Sequence, residues 1–369
     1  MTTRPIRSRY MEWAKTRAAA RFNLAISGIL SVAASEFPWD ESRVEISAPG
    51  SYGFGPLQCR IARHAGVAEG CVVAAAGTSM ANHLAMAAIV APGDEVLIEE
   101  PAYGPLLDVA DYLGARVKRL ARRFENGFAI DLKEAERAIT RETRLVVLTN
   151  LHNPSSALIP AETLRPIGEM ARHVGARVLV DEAYLELITE GSARSAFHIG
   201  EGLNGENPFV VTNSLTKVYG LSGLRCGWII ASPELARRIW LLNDLFAANA
   251  PHAAEQLSVF AFDHLEQFRG RTQSLLAANR PLLDAFLDSH PELECFRPGV
   301  GTVVFPRLRR GDPEALFALL REKYETSVVP GKYFEMPQHF RIGISGRTEE
   351  LRAGLERLSG ALDENSQRE

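Results

Sequence analysis

Ser214-Leu-Thr-Lys217-Val-Tyr-Gly-Leu-Ser-Gly-Leu-Arg225-Cys-Gly-Trp228 follows the apolar run Phe209-Val-Val-Thr212 and encloses one lysine among hydroxyl-bearing residues and glycines. A lysine so placed is a candidate covalent site, because its amine can condense with an aldehyde cofactor. Ser214 and Arg225 carry the donors that hold a phosphate, and the glycines let backbone come close to both. By itself such a lysine reads first as a solvated lysine in a Gly/Ser loop. What decides is the rest of the chain.

Strand-type runs lie upstream. Glu95-Val-Leu-Ile-Glu-Glu100, entered through Pro92-Gly-Asp94, is followed by residues 116–120, 145–149, 177–181 and 209–212, the last three short and rich in branched side chains. Helical stretches such as 131–139 and 161–174 separate most of them, which predicts a doubly wound, mostly parallel α/β domain with ligands beyond the carboxyl ends of the strands. Ahead of this domain, residues 9–21 have the pattern of an amphipathic helix, and residues 22–49 form an irregular arm broken by Gly28, Pro38 and Pro49. Behind it, Ser232-Pro-Glu234 starts a helix toward Phe246, and helices continue through about Ser289. Short strands at 301–305 and 340–344 then mix with helices near 312–324 and 349–362, a second, α+β unit. The expected division is an arm over 1–45 that belongs to the small domain, a large domain over 46–260 and the rest of the small domain over 261–369.

The 369 residues, 46% hydrophobic and 23% charged, have an ordinary globular composition and suffice for two domains. A net charge of 41 − 45 = −4 gives no electrostatic reason for a nucleic-acid partner, and the basic clusters at 4–9 and 119–123 are short enough to be solvated faces. No stretch approaches the roughly 20 apolar residues of a membrane span. Trp13, Lys15 and Arg17 interrupt any secretory pattern at the N-terminus. Cys59, Cys71, Cys226 and Cys295 are scattered, without C-x-x-C spacing or a histidine at zinc spacing, so reduced thiols, no metal and a cytoplasmic location are expected. Gly50, Gly53 and Gly55 stand in the wrong order for a dinucleotide loop.

Further segments carry chemistry. Gly77-Thr-Ser-Met80 precedes the apolar helical stretch 81–89, and a small-residue turn that opens a helix offers free N–H groups and the positive dipole end to a phosphate. A generic turn has the same pattern. Asp181 closes an apolar strand in Asp-Glu-Ala-Tyr184, where a carboxylate either caps a helix or pairs with a protonated ring nitrogen. Asn150-Leu-His-Asn153-Pro-Ser-Ser156 follows another strand with an Asn-Pro turn signal, and Tyr103 follows a third, for packing or for stacking. Arg341, in Phe-Arg-Ile-Gly-Ile-Ser345, presents a donor fork that fits a carboxylate or lies on an exposed strand face.

In this order the segments resemble the motifs of fold-type I pyridoxal-phosphate (PLP) enzymes, in particular class I/II aminotransferases, over about residues 22–347. The resemblance implies a seven-stranded, mostly parallel sheet with one antiparallel strand, a small domain drawn from both chain ends and a homodimer with shared active sites. It implies pyridoxal 5′-phosphate as cofactor, with amino acid and 2-oxo acid substrates. Lys217 is then expected to form the internal aldimine and, once freed, to act as the base. Asp181 pairs with the ring nitrogen, Tyr184 and Asn153 bond the phenolic oxygen, and Tyr103 stacks on the ring. Gly77, Thr78, Ser79, Ser214 and Arg225 form the phosphate cup, while Gly28, Asn153 and Arg341 meet the substrate, Arg341 at its α-carboxylate.

Two departures stand out. In Gly53-Phe-Gly-Pro-Leu57-Gln58 a glutamine replaces the usual arginine, and Tyr52 stands immediately before the glycine, which leaves open its equivalence to the tyrosine that reaches the neighbouring subunit's phosphate. Cys226 replaces an aliphatic residue. A lyase or cyclase of the C–S lyase type on the same fold needs the same lysine, aspartate and tyrosine, and is the alternative. A non-catalytic regulator of this kind carries a DNA-binding module, for which the segment before Phe22 has no room. Ile26, Ile29 and Leu30 either face an apolar substrate side chain or simply pack, and no second arginine is assigned to a side-chain carboxylate.

Overall fold

The computed structural model describes residues 6–40, 42, 44–47, 51–188 and 194–366; Arg4, Pro49 and Gly50 lie outside them. The apolar runs pair into one seven-stranded sheet of β1 (Val72–Ala76), β2 (Glu95–Glu100), β3 (Arg116–Ala121), β4 (Thr143–Thr149), β5 (Arg177–Asp181), β6 (Phe209–Ser214) and β7 (Cys226–Ile230). Their spatial order is β1-β7-β6-β5-β4-β2-β3. All pairs are parallel except those of β7, which is antiparallel to β1 and β6.

Successive side chains leave opposite faces of a strand. Leu145, Val147, Leu179, Val210 and Ile229 accordingly pack with the helix Gly77–Ile89 on one face, and Val146, Leu148, Val178, Val180, Val211 and Trp228 pack under other helices on the second. Burial on both faces is what branched, non-alternating strands require. The sequence pattern did not signal β1 or β7. In Val-Val-Ala-Ala-Ala76 three alanines dilute the strand preference of the valines, and Cys226-Gly-Trp-Ile-Ile230 begins inside the glycine-rich loop; β1 is held by its ladder to β7, and β7 by ladders to β1 and β6.

The arm departs from expectation in a way that matters for the site. Its helix is Arg9–Thr16, capped by Ser8, and stops short of Arg21 despite the helix-favouring alanines 18–20. The Ala18 carbonyl instead accepts Ser327 Oγ at 2.8 Å, and Phe22–Asn23 pairs in parallel with Thr326–Ser327. Tertiary pairing outweighs a propensity of tenths of a kilocalorie. Leu24 then joins the core of Leu283, Leu316, Ile342 and Leu355 among the C-terminal helices Leu265–Ser289, Pro313–Glu322 and Thr348–Ser366. Beside them Val303–Val304, Phe340–Gly343 and Val329–Pro330 form a small antiparallel sheet, the first strand shorter than expected. Among the described residues no helix is long and apolar enough to cross a membrane.

Candidate active site

The carboxyl ends of β1, β5 and β6 bring three of the sequence segments together. Gly77 opens its helix directly after β1, and the N-cap residue Ala76 provides no side-chain cap, so the first-turn amides of Gly77, Thr78 and Ser79 lack a side-chain acceptor. Thr78 Oγ1 donates to Ser214 Oγ at 2.8 Å, which ties the turn to the end of β6. Arg225 sits in the left-handed region at φ 50° and donates from Nη2 to Ala76 O at 3.0 Å. A Cβ on Gly77, itself at φ 75°, would lie 2.4 Å from that Nη2. Only glycine leaves room for the guanidinium here, and the result is a cup of amides, hydroxyls and one cation suited to a phosphate. Thr216 Oγ1, next to Lys217, is buried without a partner among the described residues.

Asp181 ends β5 and is buried, its Oδ2 accepting from Asn82 Nδ2 at 2.8 Å and its Oδ1 from Ala183 N at 3.1 Å. Asn82 in turn accepts from Thr212 Oγ1 at 2.6 Å. Burial pushes the Asp181 carboxyl up from its usual range, against the pull of those hydrogen bonds and of the Lys217 charge. Across from the carboxyl, Lys217 Nζ lies 5.8 Å from the Tyr184 ring centre. Lys217 Nζ donates to Ser27 Oγ at 3.1 Å, and Tyr184 Oη donates to the same oxygen at 2.8 Å. Gly28 packs beside them, where an added Cβ would meet Lys217 Cδ at 3.5 Å, an ordinary contact.

Arg341 is 1% exposed. Its Nη1 donates to Asn153 Oδ1 at 2.7 Å and its Nη2 to Tyr10 Oη at 3.1 Å and Ala25 O at 3.0 Å, while Nε has no partner among the described residues. The Tyr103 ring meets Tyr10 edge-on at 5.4 Å, and burial raises its phenol well above the usual range. Asn153 is fixed from below: its N–H donates to Thr149 Oγ1 at 3.1 Å, Thr149 donates to Glu99, and Glu99 pairs with Arg122 at 2.7 Å. His152, beside Asn153, is held by its neighbours. It is buried between Ser155 Oγ and Pro101 O, and burial holds it neutral, well below its usual pKa.

Four positions that support the site were not singled out in the sequence, three of them for want of any signal of their own. Asn82 holds Asp181, Ser27 joins Lys217 to Tyr184, and Tyr10 bonds Arg341. Glu186 anchors the lysine loop from behind the sheet, accepting from Tyr219 Oη, from Asn213 Nδ2 at 2.8 Å and from His64 Nε2 at 2.9 Å. Burial of His64 works against its protonation, but the hydrogen bond and charge of Glu186 outweigh it and raise its pKa. A polar residue inside the apolar helix Gly77–Ile89 was the one available clue to Asn82. Tyr52 is 54% exposed, with its hydroxyl on Asp244 at 3.2 Å, outside this cluster.

A lysine beside a phosphate cup and a buried carboxylate, at the carboxyl ends of a mostly parallel sheet, defines a PLP-dependent enzyme of fold type I. Residues 43–358 match the family model of aminotransferase class I and II, and the chain belongs to that family. It is similar to capreomycidine synthase of Streptomyces vinaceus, 29% identical over 288 residues that cover 78% of this chain and 73% of that protein. A PLP-dependent aminotransferase from Streptococcus suis 89-1591 superposes with a TM-score of 0.90 at 25% identity, over 98% of this chain and 99% of that one. The PLP-dependent cyclase OrfR superposes at 0.88 and 25% identity, over 99% and 100% of the two chains. The cofactor is pyridoxal 5′-phosphate and the enzyme an aminotransferase, with amino acid and 2-oxo acid substrates.

Proposed function

We propose that Lys217 bonds the cofactor and then carries the substrate's α-proton, with the α-carboxylate on Arg341. The observation that carries this reading is the Arg341 guanidinium, which is buried with only neutral oxygens as partners among the described residues and with Nε unpaired. A buried cation of this kind costs several kcal/mol until an anion meets it. A carboxylate is the anion its fork fits.

When bound, the cofactor supplies the electron sink for the carbanion left at the α-carbon. Each protein group then has one task. Gly77, Thr78, Ser79, Ser214 and Arg225 would hold the phosphate, and Asp181, fixed by Asn82, would supply the negative charge that keeps the ring nitrogen protonated. Tyr184, once its proton turns from Ser27, and Asn153 would donate to the phenolic oxygen, Tyr103 would pack on the ring, and Gly28, beside Lys217, would face the substrate. Arg341 orients the carboxylate, with Asn153 and Tyr10 holding the fork. The freed Lys217 amine would take the α-proton and deliver it to the cofactor's C4′ carbon, on the far side of the imine nitrogen.

The same reading divides the chain at 1–45, 46–260 and 261–369, supported by the packing of Tyr10 and Leu24 against C-terminal side chains. It places a homodimer in the cytoplasm. The exposed Leu241, Leu245 and Phe246 support a subunit contact, and four free cysteines support a reducing compartment. The similarity to OrfR favours, as second reading, a cyclase or lyase that uses the same lysine set.

Borohydride reduction of the holoenzyme is expected to fix the cofactor on Lys217, and Lys217→Ala is expected to abolish turnover and the lysine-bound absorbance band. Retained activity would overturn the assignment. Acceptor-dependent formation of pyridoxamine phosphate supports transamination, whereas a cyclised product, or pyruvate and ammonia, without any acceptor supports the second reading.

A further inference from the structure

The arm that carries Ser27 is fastened on both sides. Toward the small domain, Gly343 N donates to Leu24 O at 2.6 Å, Thr302 Oγ1 to Ser27 O at 2.7 Å and Ser345 Oγ to Gly28 O at 2.7 Å. Toward the lysine loop, Ile29 N donates to Lys217 O at 2.9 Å and Val32 N to Gly220 O at 3.1 Å. Ser27 is 7% exposed and its oxygen accepts from both Lys217 Nζ and Tyr184 Oη. A serine hydroxyl has two acceptor sites, and both are used.

We propose that Ser27 is a positioning residue for Lys217: its fixed hydroxyl oxygen holds the amine and the Tyr184 hydroxyl side by side, so that the amine meets a carbonyl carbon already oriented. The inference rests on Lys217 being the cofactor-bonding residue. A lysine side chain otherwise keeps four rotatable bonds, and holding its end in one place removes that search before reaction. An alanine at 27 leaves the backbone stitches in place but takes away the one atom common to both partners.

The test is the rate at which cofactor-free protein forms its bond to added pyridoxal 5′-phosphate, followed by absorbance. In that step the amine nitrogen adds to the aldehyde carbon, and the aldehyde oxygen departs as water with both amine hydrogens. Ser27→Ala is expected to slow bond formation about tenfold, the rate equivalent of one modest hydrogen bond. Ser27→Thr, which keeps the hydroxyl, is expected within about threefold of the original rate. Affinity for 4′-deoxypyridoxine phosphate, which lacks the aldehyde, is expected to fall by much less than the bond-forming rate in Ser27→Ala, since the phosphate cup is untouched and only the Tyr184 hydroxyl loses a support. Equal rates for Ser27→Ala and the unaltered protein would overturn the proposal, as would an equal loss in Ala and Thr, which would make Ser27 a packing residue. An unaltered protein that forms no reducible bond at Lys217 would instead remove the reading beneath it, and the proposal with it.

Discussion

Gly77→Ala separates what the phosphate cup needs from what the backbone needs. The new Cβ would stand 2.4 Å from Arg225 Nη2 and 2.9 Å from Cζ, at a residue with φ 75°. Placing an L-residue there costs roughly 1–2 kcal/mol, a loss borne by the fold. The collision is a second effect: the guanidinium must swing away, giving up Ala76 O at 3.0 Å and its charge-assisted grip on a phosphate. That grip is worth about 1.5–3 kcal/mol, which corresponds to a Kd for pyridoxal 5′-phosphate about 10- to 100-fold weaker. Titration of cofactor-free protein reads the second effect and denaturant unfolding the first. Gly93→Ala is the control, because Gly93 has φ 90° but no atom within 4 Å of an added Cβ. It is expected to lose about 1 kcal/mol of stability and no cofactor affinity. A Gly77→Ala protein with unchanged Kd, or an equal loss of affinity in Gly93→Ala, refutes the reasoning.

Arg341→Lys keeps the charge but loses the two-pronged fork, so KM for the amino donor is expected to rise about 10- to 100-fold with cofactor affinity unchanged, as steady-state kinetics would show. Glu99→Ala strands the Arg122 charge in a site where both side chains are 0% exposed, and is expected to cost about 3–5 kcal/mol in urea unfolding. The same change frees Thr149, so KM should rise as the support of Asn153 loosens. Burial, with the nearby Glu186 and Asp181 charges, lifts the Glu182 carboxyl from 4.5 to about 8. Because the folded state then holds the proton more tightly than the unfolded chain, this group's contribution to stability falls as pH rises from about 4.5 through about 8. Glu182→Gln keeps an acceptor for Ala196 N and is expected to gain stability over the original protein by on the order of 3 kcal/mol more at pH 8 than at pH 5. Equal melting-temperature differences at the two pH values would refute that assignment.

Local chemistry alone determined much of this protein. The branched runs of β2, β4, β5 and β6 announce buried parallel strands, since few other structures accept consecutive apolar side chains on both faces. Lys217 with Arg225, and Asp181 with Tyr184, are legible because each lies in a loop or strand end where the neighbouring residues already specify the turn. Tertiary structure decided the rest. Alanine-rich β1 is a strand only because β7 lies beside it, and the alanines after Thr16 leave the helix because Ser327 and Thr326 capture the chain there. Asn82, Ser27 and Tyr10 have partners 99, 190 and 331 residues away, so no window of sequence contains the contacts that give them a role. A short-range pattern reports which conformation a segment prefers; a hydrogen bond between distant segments exists only once the whole chain has closed around it.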